Sequence, residues 1–217
     1  MTGRAVIDRT HRWYQANARR YDRLHPGLPG DTEHYAALAL DARVLELGAG
    51  TGRVTAALAD VARRVIAVDN APAMLAIAAE RLRGRVTVDL VLADIRALAM
   101  EGAFDLVVLA YRTLQHVPAE AHPSLWRRLR SLLTPGGRIA FDTWHGPVGS
   151  GRDASAVRLT PITSATIHDG LAAAGFTVMA TQRGFLQRGE DGFTQVWLVG
   201  VDVGHATEDQ RKKSRSP

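Results

Sequence analysis

From Arg43 onward the chain alternates short apolar runs with Ala/Leu/Arg-rich segments, and this alternation limits the fold more than any other feature. The runs lie at 44–47, 65–68, 86–92, 104–110 and 138–143, with helical patterns at 53–61, 72–83 and 118–133. Near-continuous apolar runs belong to strands covered on both faces, and strands separated by helix-length segments pair in parallel through crossovers. Thr134-Pro135-Gly136-Gly137 reads as a sharp helix-to-strand turn. A loop-like stretch over 146–161 leads to a helix over 164–174 and two closing strands at 176–181 and 194–201. The expected architecture is α/β: a doubly wound, mostly parallel sheet with helices on both faces. Residues 1–40 read as an N-terminal helical arm broken at His25-Pro26-Gly27-Leu28-Pro29-Gly30, residues 41–204 as the domain, and 205–217 as a disordered basic tail.

Composition removes whole classes of function. With no cysteine among 217 residues, disulfides, thiolate-bound zinc, iron–sulfur clusters and thiolate nucleophiles are out of reach. No apolar run approaches the roughly 18–20 residues that span a bilayer. The first ten residues lack a signal-peptide apolar core. The expected location is the cytoplasm, with no membrane partner. The net charge of +5 sits mainly at the two ends, chiefly at Arg211, Lys212, Lys213 and Arg215, which leaves residues 41–204 at +1. Nucleic-acid binding needs a dense basic face, so no nucleic-acid partner is expected. The histidines show no metal-ligand spacing, and no metal is expected.

The stretch Val44-Leu45-Glu46-Leu47-Gly48-Ala49-Gly50-Thr51-Gly52-Arg53 carries the most chemistry. A strand runs into a glycine-rich turn that opens a helix, where a ligand can approach the backbone and meet amide donors. Asp69 ends the second strand and Asp94 the third, at the carboxyl edge where open α/β sheets bind ligands. An acid about 20 residues past such a loop accepts hydrogen bonds from a ribose diol. Each aspartate taken alone also reads as a helix N-cap. The glycine spacing Gly48-x-Gly50-x-Gly52 places Arg53 where a dinucleotide fold has its third glycine, and Glu46 is unwelcome beside a pyrophosphate. Glu46 suits a ligand with a cationic amine. No Gly-Lys-Ser/Thr follows, which excludes a Walker A loop.

These motifs resemble the class I S-adenosylmethionine-dependent methyltransferases. The likeness continues through Ala67-Val68-Asp69-Asn70-Ala71-Pro72-Ala73-Met74-Leu75, Leu92-Ala93-Asp94-Ile95, Phe104-Asp105-Leu106-Val107-Val108 and Leu132-Leu133-Thr134-Pro135-Gly136-Gly137-Arg138, covering roughly residues 43–143. It implies a seven-stranded sheet of order 3-2-1-4-5-7-6 with strand 7 antiparallel, and S-adenosylmethionine as cofactor. Carried over by position, the loop from Gly48 through Ala49, Gly50, Thr51 and Gly52 surrounds the methionine part, with Glu46 near its amino group. Asp69 holds the ribose hydroxyls, Asn70 and Met74 lie beside the adenine, Asp94 and Ile95 meet its polar edge, and Ala110 sits under the methionyl group. The arm, with Trp13-Tyr14 and Tyr21-Asp22, resembles the small-molecule branch, in which an N-terminal helix closes over the cofactor. Tyr14 and Tyr21 then contact the carboxylate, or else serve only as packing residues.

Methyl transfer from a sulfonium needs alignment, and a base where the acceptor is a hydroxyl or a protonated amine. His116, after strand 4, is the first candidate because an unperturbed imidazole titrates near 6.5; the alternative is a histidine that orients a loop. His145, ending strand 5, is the second. Tyr111, Arg112, Gln115 and Trp144 are candidate substrate contacts. No Asp/Asn-Pro-Pro-aromatic sequence follows strand 4, and no Asp…Asp-Asn set marks a catechol-type magnesium site. The expected activity is transfer of a methyl group to N or O of a small metabolite by a monomer or homodimer. A non-methylating cyclase-like or cofactor-binding protein on this fold, and an RNA or protein methyltransferase, stand as alternatives.

Overall fold

The computed structural model describes residues 3–146, 157, 159–184 and 192–201, with the side chains of residues 3–8 outside that description. The expected basic tail at 205–217 and most of the 146–161 loop lie outside the described residues. The elements run α1 (Gly3–Asn17), α2 (Tyr21–Leu24), α3 (Asp31–Leu38), β1 (Arg43–Leu47), α4 (Arg53–Ala59), β2 (Arg64–Asp69), α5 (Pro72–Arg81), β3 (Val88–Leu92), β4 (Phe104–Leu109), α6 (His122–Leu132), β5 (Leu133–His145), α7 (Ser164–Ala173), β6 (Phe176–Gly184) and β7 (Phe193–Val201).

The seven strands form one mixed sheet of order β3-β2-β1-β4-β5-β7-β6. Strands β1 to β5 pair in parallel, whereas β7 runs antiparallel to both β5 and β6. The central strands are apolar on both faces because both faces carry core. Leu45, Val107 and Phe141 point into one cluster with Trp126 and Trp197; Val44, Leu106 and Ala140 point into another with Val54, Leu58 and Tyr35. Successive residues of a strand face opposite sides, so both clusters are written into the same five-residue runs. Tyr35 and Ala39 of the arm are wholly buried in the second cluster.

Helix α6 buries His122, Leu125, Trp126, Leu129 and Leu132, a three-to-four-residue spacing that makes one apolar stripe. The expected turn at 134–137 is absorbed into β5 as an irregularity. Phe104 pairs with Leu133 and Leu106 with Arg138, so the intervening β5 residues loop out of register, with Gly136 at φ +80°. β3 begins two residues later than expected, at Val88, and leaves Val86 exposed. The helix at 118–133 is a 3-10 turn at Ala119–Ala121 followed by α6. No helix among the described residues is long and apolar enough to cross a membrane.

Candidate active site at the carboxyl edge of the sheet

The tips of β1, β2 and β4, with the turns after β3 and β4, line a cavity of about 380 Å³ to which α1 and Tyr21 of the arm also contribute. Its lining includes Tyr14, Tyr21, Gly48, Gly50, Asp69, Asn70, Met74, Asp94, Ile95, Ala110, Tyr111 and His116. A smaller cavity of about 40 Å³ adjoins it, bordered by Glu46, Ala49, Thr51, Arg53, His25, Tyr21 and Tyr111.

The glycine loop is held by β2. The Gly48 and Ala49 amides donate to the Val68 carbonyl at 2.8 and 3.0 Å. Gly48 has φ +75°, and a Cβ there would fall 2.6 Å from the Thr113 hydroxyl, so only glycine lets the turn after β4 close against the loop. Gly52 has a different task. It opens α4 at φ +78°, and a Cβ would press on Ala78 and Leu82 of α5 at 3.1–3.2 Å. Gly52 packs helices and lines neither cavity.

Asp69 accepts from the Gly50 amide and the Ala71 amide, each at 2.8 Å. Burial raises its pKa, against the lowering effect of those amides. The carboxylate therefore both fixes the loop and borders the cavity. Asp94 realises the helix-cap reading: it accepts from the Arg96 amide at 2.9 Å and pairs with the Arg96 guanidinium, which holds its pKa low. It still borders the cavity, with its charge already partnered. Glu46 is buried, accepts from the Thr55 hydroxyl at 2.6 Å, and faces only the small cavity. Burial pushes its pKa up to about 8, so at pH 7 it is mostly protonated.

His116 lines the main cavity and is paired there. Its Nε2 lies 3.1 Å from the Tyr14 hydroxyl, and its Nδ1 is buried with no hydrogen-bond partner. Burial, with the charges of Arg112 and His25, lowers its pKa to about 4. Burial raises that of Tyr14, so both groups are neutral at pH 7. Tyr14 borders the same cavity as His116.

Besides Gly52, four sequence candidates stand away from the cavities. His145 hydrogen-bonds the Thr143 hydroxyl at 2.9 Å, stacks on Phe193 between β5 and β7, and lines neither cavity. Gln115 is a buried clamp: it accepts from the Trp144 amide at 2.6 Å and donates to the Trp144 and Thr160 carbonyls. Trp144 is buried, with the Arg112 guanidinium 4.7 Å above its ring; neither lines a cavity. Conversely, Thr10, His11, Arg96, Thr113, Thr160 and Pro161 line the main cavity without having stood out in the sequence. No length or motif signal marks them, because the chain brings them in from separate segments. Among the described residues no group of three or more His, Asp or Glu is placed to hold a metal ion.

The family described as "Methyltransferase domain" matches residues 44–137, the span from β1 into β5 that builds this cavity. The chain is also similar to several named proteins over part of its length. One is a carboxy-S-adenosyl-L-methionine synthase of Ectopseudomonas mendocina, 37% identical over 130 residues, which are 52% of this chain and 52% of that protein. A ubiquinone biosynthesis O-methyltransferase of Xanthomonas campestris is 35% identical over 138 residues, 61% of this chain and 56% of the relative. The chain thus matches little more than half the length of these curated relatives. Among solved structures, the DhpI–SAH complex superposes with a TM-score of 0.72 at 23% identity, covering 91% of this chain and 98% of that one. That likeness shows the fold.

Proposed function

We propose that this chain binds S-adenosylmethionine in the cavity and transfers its methyl group to a nitrogen or oxygen of a small molecule. The observation that carries the reading is Asp69: a half-buried carboxylate at the β2 tip that borders the same cavity as Gly48 and Gly50. The residues fit the cofactor. Asp69 retains lone pairs for a ribose diol, Met74 and Ile95 offer apolar contact to an adenine, and Asp94 borders the same end. Glu46, with one oxygen bonded to Thr55, faces the small cavity on the methionine side of the loop. Tyr14 and Tyr21 cover the cavity from the arm.

When bound, S-adenosylmethionine supplies a methyl group on a cationic sulfur that departs as a neutral thioether, so an acceptor carrying a proton must release it. The Tyr14 hydroxyl and His116 receive that proton in sequence. It passes to the Tyr14 oxygen while the Tyr14 proton passes to His116 Nε2, 3.1 Å away. A neutral imidazole has the lone pair this requires, and its lowered pKa means that it holds the proton only in passing before releasing it. An acceptor that arrives as a free-base amine sheds its proton after attack by the same route.

The match to a carboxy-S-adenosyl-L-methionine synthase supports the cofactor more than the group transferred. The decisive experiment is therefore a paired one: calorimetry with S-adenosylhomocysteine, and transfer of a labelled methyl group from S-adenosylmethionine to a library of small amines, alcohols and phenols. Asp69→Ala is expected to weaken S-adenosylhomocysteine binding by about 1–3 kcal/mol. Unchanged affinity would remove the ribose assignment. Binding without any labelled product would leave a cofactor-binding or cyclase-like protein.

A further inference from the structure

The methyltransferase reading makes no use of Asp142, although this is the most completely enclosed carboxylate described. Asp142 lies near the carboxyl end of β5 with no exposure to solvent. Its Oδ2 accepts from the Tyr111 amide at 2.6 Å and from the Tyr35 hydroxyl at 2.7 Å; its Oδ1 accepts from the Arg112 amide at 2.8 Å. Tyr111 and Arg112 are consecutive non-glycine residues with φ +54° and +66°. Two adjacent side-chain-bearing residues in the left-handed region persist only where the surroundings over-determine them. The three donors at Asp142 supply that constraint, since a carboxylate can take both amides only when they point the same way.

The consequence is the shape of the site. Tyr111 lines both cavities, and Arg53 lies 5.7 Å from its ring on the arm side. The same turn sets Thr113 against Gly48. Tyr35 comes from α3, so one buried carboxylate ties the arm, the tip of β5 and the turn after β4 together.

The geometry points to Asp142 as the positioning residue of the site: it holds the Tyr111-Arg112 turn in its left-handed form and, through Tyr35, couples that turn to the arm. The functional part of this inference rests on the methyltransferase reading; the structural part does not. Asp142→Asn keeps the shape but offers one acceptor oxygen to three donors. The variant is expected to move the Tyr111 and Arg112 amide proton resonances upfield and to weaken S-adenosylhomocysteine binding roughly tenfold. Arg112 lines neither cavity, and glycine adopts positive φ without strain. Adding Arg112→Gly should therefore recover most of the lost affinity in the Asp142→Asn background, a gain that the same substitution does not give in the wild type. Asp142→Asn with wild-type affinity and unshifted amides would overturn the assignment, as would an Arg112→Gly effect equal in both backgrounds. If Asp142→Asn does not fold, Tyr35→Phe serves instead. It removes one donor from Oδ2 and should still shift the Tyr111 amide and lower affinity about twofold or more; wild-type values for both would overturn the coupling. A wild type that binds no S-adenosylhomocysteine sinks the methyltransferase reading alone, and the amide shifts then decide the place of Asp142.

Discussion

His116 and Tyr14 illustrate how a residue's neighbours change what it can do. A histidine after strand 4 invites a reading as a base near neutral pH, yet burial lowers its pKa to about 4 and Tyr14 occupies its Nε2. If the two act as one relay, each of Tyr14→Phe and His116→Ala should lower kcat by about 10²-fold, and the double variant should lose little more. The measurement is steady-state methyl transfer with the double-mutant cycle closed; fully additive losses would separate the two residues. The strand-5 residues show the same dependence on context. Asp142 and Trp144 share one face of β5, and Thr143 and His145 the other, because side chains alternate along a strand. His145 consequently joins Thr143, whose hydroxyl also accepts from Trp197, while Asp142 meets the turn after β4. The sequence marks Asp142 as a lone acid in an apolar run, but the face it turns to the site depends on strand register.

At the scale of elements, the arm is fastened to the glycine loop and the helices behind it by polar pins. Asp22 accepts from the Thr51 hydroxyl at 2.6 Å and pairs with Arg81, Gln15 accepts from the Ala73 amide at 2.8 Å, and Asp31 forms a bidentate pair with Arg53. Asp31 is buried, whereas Arg53 keeps a quarter of its side chain in solvent. Arg53→Ala strands a buried carboxylate, which is expected to cost about 2 kcal/mol, below the range for a fully buried pair. Thermal unfolding should show a lower Tm, and limited proteolysis should cut the arm faster than in the wild type. Equal Tm and equal cutting would mean that the pin does not hold the arm. The strands and helices themselves were legible from the apolar runs. The arm's attachment was not, because Asp22, Asp31 and Gln15 look like ordinary surface residues until the loop and α5 are brought against them.

Across the molecule, Glu46 links the site to global stability. Its pKa is raised by burial to about 8 in the folded chain, against about 4.5 for a free carboxyl. Between those values the folded state holds a proton that the unfolded state has lost, so this group's contribution is fully present at low pH and declines as pH rises toward 8. Glu46→Gln should flatten the fall in Tm between pH 6.5 and 8.5; a wild-type Tm that is level over that window, or an equally steep fall in the variant, would contradict the shift. The parallel two-faced core and the glycine loop with its strand-end acids followed from the sequence, since periodicity and glycine placement are local properties of the chain, whereas the strand order was implied only by the family resemblance. Only the tertiary structure decided that Gly52 packs helices, that Asp94 already has Arg96 as partner, that Gln115 is a clamp, and that Asp142 organises the site. Those outcomes depend on which groups from distant segments compete for the same hydrogen bond, and that competition is settled only when the segments meet.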